Sequence, residues 1–178
     1  GATHRRQFLT YITSHKVNWC VLSVPIPAWA QQVFPGVSED AAMAQLWEAI
    51  GGACRLNDPD PVAAWNTHLA ELARRGAALT DAAYGALHFV GPGTDLTVGL
   101  VPGHRWIGGS STTDSGITFT PNVPTEEVFS LPHKDRVDGT VTASKPLNYG
   151  GTLIEGLKVK FVDGRAVEVT ADAGQSVM

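Results

Sequence analysis

The chain is poor in cysteine and in charge. Only two thiols, Cys20 and Cys54, occur among 178 residues, too few for the set of bridges that supports small secreted domains. Both are expected to be buried free thiols of a protein in a reducing cytoplasm. Lysine and arginine are scarce, 13 against 17 acidic residues, and no basic run is longer than Arg5-Arg6. A net charge of -4 and a pI near 5.8 leave no basic face for a nucleic acid. No apolar run reaches the length of a membrane span, and the first residues lack the charged, apolar, small-residue order of a secretory signal, so no membrane partner is expected. Also missing are an internal repeat, a low-complexity tract and the Gly-x-Ser-x-Gly elbow of serine hydrolases. Gly91-Pro92-Gly93-Thr94 lacks the third glycine and the Lys-Ser/Thr ending of a phosphate loop, and it reads as a tight turn.

What is present suits a packed core, since 43% of the residues are hydrophobic. Residues 5–15 place Phe8, Leu9 and Ile12 at helical spacing. The run from Val17 to Val24 is almost continuously apolar and ends at Pro25-Ile26-Pro27, the pattern of a parallel strand covered on both faces. Ser38 is placed to cap a helix with an Ala42, Leu46, Ile50 stripe running on to Gly51-Gly52. Asp60-Pro61 opens another as N-cap and first helical residue, with Trp65, Leu69 and Leu72 on one face. From Gly85 onward glycine, threonine and valine rise and helix signals vanish. Short strands are expected at 87–90, 95–100 and 104–107, a hairpin near 117–120, a turn at Asp138-Gly139, and a hairpin closed by Asp163-Gly164. The expected fold class is α/β plus β, with a partial α/β unit over residues 1–84 and a mostly antiparallel β-rich domain over residues 85–178.

The stretch from Pro121 to His133 carries the chemistry. Prolines at 121, 124 and 132 keep it out of a helix interior. Glu126 and Glu127 therefore sit on extended chain and point to opposite faces. Whichever faces inward needs a metal ion, an arginine or backbone N–H groups, because an unpaired buried carboxylate is prohibitive.

Asn122-Val123-Pro124-Thr125-Glu126-Glu127-Val128-Phe129, followed by Pro132-His133 and Val137-Asp138-Gly139-Thr140-Val141, resembles the first metal-ligand motif of the aminopeptidase S and aminopeptidase T family of two-metal aminopeptidases. The likeness covers nearly the whole chain in order, through Trp19-Cys20-Val21, Pro25-Ile26-Pro27-Ala28-Trp29-Ala30, Asp60-Pro61-Val62-Ala63-Ala64-Trp65, Leu87-His88-Phe89, Gly93 to Leu100 and Leu153-Ile154-Glu155-Gly156. It implies that Glu127, the second glutamate of the pair, is an oxygen ligand to one of two divalent ions such as zinc, cobalt or magnesium. Glu126 stands where some members have glycine and receives no role. The resemblance further implies a peptide substrate, a second copy of the chain as partner, and a cytoplasmic setting. The family's other ligands, a glutamate, a histidine and a closing His-x-Asp pair, lie downstream of this motif and beyond residue 178. On that basis the sequence is expected to be the middle of an aminopeptidase, inactive as an isolated chain.

Other candidates read as ordinary structure. His133-Lys134-Asp135 imitates a ligand pair but is expected to be a surface turn. His88 and His104 are expected to be satisfied by backbone bonds, and His68, beside Trp65 and Leu69, to lie at the edge of the core. Ser110-Ser111-Thr112-Thr113 reads as a flexible loop, and Cys20 has no activating base in view. The alternative to the peptidase reading is a non-catalytic module that binds a partner through an exposed sheet edge.

Overall fold

The computed structural model describes residues 2–177, with side chains from Phe8 onward. Along the chain run α1 (Ala2–Thr13), β1 (Val21–Leu22), α2 (Pro27–Val33), α3 (Glu39–Ala53), α4 (Pro61–Ala82), β2 (Ala86–Gly91) and β3 (Thr94–Leu100). They are followed by β4 (Ser111–Thr112), β5 (Thr118–Phe119), β6 (Asn122–Val123), β7 (Pro132–Thr142), β8 (Leu147–Tyr149), β9 (Thr152–Ile154), β10 (Lys158–Val162) and β11 (Arg165–Thr170). This is the α/β plus β class expected, helices first and antiparallel sheet after. The chain packs as two units: Gly1–Ala77 with Ile107–Phe129, and Ala78–Trp106 with Ser130–Met178. The division differs from a single boundary at residue 84, because residues 107–129 return to the helical unit and bring the glutamate pair with them.

In the first unit α2 packs on α3. Ala30, Ala42 and Leu46 are buried, with Phe34, Met43 and Ile50 against them. The stripe read from the sequence is thus the buried face. Both expected caps are in place: the Ser38 hydroxyl accepts from the Ala41 N–H at 3.3 Å, and Asp60 Oδ1 accepts from the Ala63 N–H at 3.0 Å. Asp60→Ala is expected to lower the unfolding free energy by about 1 kcal/mol, the usual worth of an N-cap carboxylate, read as a lower urea midpoint at unchanged slope.

The strand expected over 17–24 is much shorter than its apolar run. Only Val21 and Leu22 form a ladder, parallel to Asn122 and Val123 of β6, and their exposures are 60% and 59%. A continuous apolar run is the pattern of a parallel strand covered on both faces; among the described residues this one pairs with a single strand over two residues, and its side chains stay exposed. Cys20, expected to be buried, is exposed, whereas Cys54 is buried as expected, and both are free thiols. The Ser110–Thr113 segment is no loose loop: β4 pairs antiparallel with β5, and buried Thr113 accepts the Ile117 N–H at 3.0 Å through its hydroxyl.

The second unit is built on a five-stranded antiparallel sheet in the order β11-β10-β7-β3-β2. Pro92-Gly93 closes the β2–β3 hairpin, with Gly93 at φ +69°. Asp163-Gly164 closes the β10–β11 hairpin, both residues at positive φ, as a type I′ turn demands. Asp138-Gly139 is not a turn. It lies inside β7, where Gly139 faces the Asp95 carbonyl of β3 so closely that a Cβ there would overlap it. The glycine signal reports close approach of two backbones, which sequence alone does not separate from a turn. The strand expected over 104–107 is also absent, apart from a bridge at Ile107 to Phe129. The His104 N–H and Nδ1 both reach the Val101 carbonyl, at 3.0 and 2.9 Å, which folds the segment back after Pro102-Gly103.

Candidate metal-ligand segment

Residues 122–129 run along the first unit as extended chain, bridged to β1 at one end and to Ile107 at the other. Between these anchors Thr125 is buried. Gly108 lets the segment lie close, since a Cβ at that position would overlap the Glu127 carbonyl. Gly109, at φ +76°, sits against α4, where a Cβ would come within 3.0 Å of Leu69 Cδ2.

The two glutamates point to different surroundings, as extended chain requires. The Glu126 carboxylate meets Arg55 Nη1 at 2.7 Å and His68 Nε2 at 3.3 Å. His68 Nε2 also lies 2.7 Å from the Thr125 carbonyl, and its Nδ1 lies 3.1 Å from Arg55 Nη2. A guanidinium only donates, so Nδ1 must accept, and the proton sits on Nε2, shared between the Thr125 carbonyl and Glu126. The hydrogen bond from Arg55 holds the Glu126 carboxyl below its ordinary range against some burial, with the positive charges of Arg55 and Arg75 adding to it. The same bond raises the Arg55 guanidinium.

Arg55 is itself unusual in its backbone. Helix α3 ends in a Schellman pattern, with the Leu56 N–H bonded to the Gly51 carbonyl at 2.8 Å and the Arg55 N–H to the Gly52 carbonyl at 3.1 Å. Arg55 occupies the left-handed position of that cap at φ +58°. Glycine is the ordinary resident there, and a residue with a Cβ gives up about 1–2 kcal/mol in this conformation. The side chain is further fixed by the Trp65 ring, 5.0 Å from the guanidinium carbon, and Trp65 in turn donates from Nε1 to the Cys54 carbonyl at 2.7 Å.

Glu127 points elsewhere. Its side chain is exposed and makes no hydrogen bond or ion pair with any described residue. It lines a cleft of 410 Å³ with His15, Trp19, Ile107, Ser111 and Phe129 among the other walls. Ser111 Oγ lies 3.3 Å from His15 Nδ1. His15, isolated after a helix, carried no signal in the sequence. Among the described residues no three His, Cys, Asp or Glu side chains converge as a metal cage. A lone carboxylate open to a cleft has the chemistry of one oxygen ligand to a hard divalent cation.

The remaining histidines are accounted for. His68 is partly buried, as expected of a core-edge residue, and it also ties α4 to the Thr125–Glu126 chain. His104 takes the backbone bond expected. His88 does not: its Nε2 pairs with Asp95 Oδ1 at 2.7 Å across the β2–β3 ladder. His133 lies at the start of β7 and not in a turn, with its Nδ1 accepting the Asp135 N–H at 3.2 Å.

Comparison with known proteins gives this arrangement its context. Residues 1–178 match the family described as thermophilic metalloprotease (M29). Aminopeptidase T of Thermus aquaticus is 49% identical over 173 residues, 97% of this chain and 42% of that protein. Aminopeptidase 2 of Geobacillus stearothermophilus is 47% identical over 160 residues, 90% of this chain and 39% of that protein. The solved structure titled wild-type AmpT from Thermus thermophilus superposes with a TM-score of 0.87 at 48% identity, covering 95% of this chain and 41% of that one. The chain thus spans about two fifths of the length of the relatives it matches. On a match across all its residues, the chain belongs to the thermophilic metalloprotease (M29) family.

Proposed function

We propose that this chain is part of a metal-dependent aminopeptidase that removes N-terminal residues from peptides, and that Glu127 supplies one ligand of its metal site. The observation that carries the reading is the Glu127 carboxylate, without a partner among the described residues on the wall of a cleft, while both oxygens of its neighbour Glu126 are engaged. Glu127 would hold a divalent ion there, and that ion would supply polarisation of a scissile carbonyl and a bound water of lowered pKa. Glu127 donates charge and position to that site and is not its base. Trp19, Ile107 and Phe129 give the cleft apolar walls, suited to a peptide side chain. The reading includes two ions, zinc, cobalt or magnesium, among which a carboxylate donor selects weakly. It also includes a homodimer, suggested by the family resemblance, and a cytoplasmic setting, supported by two free thiols.

Chelator treatment of the full-length protein is expected to abolish release of N-terminal residues from a peptide, and added zinc, cobalt or magnesium to restore it. A peptidase indifferent to chelator would overturn the proposal.

A further inference from the structure

We propose that Arg55 and His68 act as a positioning pair, clamping the Thr125–Glu126 chain so that the next residue, Glu127, presents its carboxylate to the cleft. The inference rests on the reading of Glu127 as a metal ligand. Three observations carry it.

The contacts are directed at both main chain and side chain of the two residues that precede Glu127. His68 holds the Thr125 carbonyl, Arg55 and His68 together hold the Glu126 carboxylate, and Arg55 fixes the His68 ring through Nδ1. On extended chain, fixing one side chain to one face fixes its successor to the other, so engaging Glu126 aims Glu127. Arg55 is also held where a glycine would suit the backbone better, at φ +58° in the α3 cap. A strained non-glycine residue points to a side chain whose contacts outweigh the cap. The clamp itself is braced, because Trp65 lies over the guanidinium and bonds to the Cys54 carbonyl. This is the arrangement by which groups behind a ligand set its orientation.

Cobalt(II) titration of the full-length protein, followed by its visible absorption, tests the assignment with Arg55→Gly, Glu126→Ala and Glu127→Ala. Arg55→Gly relieves the cap while removing the guanidinium, so the urea midpoint is expected to hold or rise as cobalt affinity falls about ten-fold or more. Glu126→Ala is expected to weaken cobalt by a similar factor, and the Arg55→Gly, Glu126→Ala pair by no more than the worse single change. Wild-type cobalt affinity in both Arg55→Gly and Glu126→Ala, with Glu127→Ala impaired, would overturn the positioning role and leave the metal reading standing. Wild-type affinity in Glu127→Ala would overturn both.

Discussion

Glu127→Ala in the full-length protein is expected to lose bound metal and peptidase activity together, with kcat/KM falling about 100-fold or more. Alanine has no oxygen to offer a cation, and two factors of ten correspond to about 2.7 kcal/mol of transition-state stabilisation, modest against the several kcal/mol a Lewis acid supplies. The same change is expected to leave folding nearly untouched, within about 0.5 kcal/mol, because the Glu127 side chain is exposed and has no partner to lose among the described residues. The pairing of a large functional loss with an unchanged urea midpoint separates a ligand from a structural carboxylate. Initial rates on a peptide, elemental analysis of the purified protein and urea unfolding of the same sample together make the measurement. Retained activity would remove Glu127 from the site.

Gly108→Ala is expected to damage both fold and site. The added methyl overlaps the Glu127 carbonyl and crowds the Val128 Cα at 3.0 Å, and these are main-chain atoms with no rotamer by which to escape. Forcing volume into such a contact costs about 1–3 kcal/mol. The displaced atoms belong to Glu127, the proposed ligand, so metal affinity is expected to fall with the urea midpoint. Gly85→Ala is the control: nothing lies within 4 Å of a Cβ there, and the substitution is expected to change neither quantity. A Gly108→Ala protein with wild-type stability would mean that residues 108 and 127 do not approach as described.

Local chemistry made much of this molecule legible. Ser38 and Asp60 cap the helices they were read to cap, and Asp163-Gly164 turns the hairpin, because each signal acts within three or four residues of itself. The alternation of Glu126 and Glu127 was legible for the same reason. Which glutamate is paired was not, since Arg55 lies 71 residues from Glu126 and His68 lies 57 from Thr125. Asp138-Gly139 failed for a related cause: glycine serves both a turn and a crowded strand, and only β3, placed by tertiary packing, decides between them. The metal motif itself came from resemblance. Two adjacent glutamates alone do not distinguish a ligand from a surface pair.

The pairing of β1 with β6 bears on how the protein is made. Val21 finds its partner in Asn122, about a hundred residues later, with all of β2 and β3 in between. At a ribosomal pace of roughly 5–20 residues per second, the apolar run around Val21 leaves the tunnel some 5–20 s before its partner exists. During that interval Val21 and Leu22 have no ladder to join, and together with Val24 and Ile26 they stay 57–60% exposed even once it has formed. The parallel ladder therefore closes late in synthesis, only when the segment that bears Glu127 has arrived.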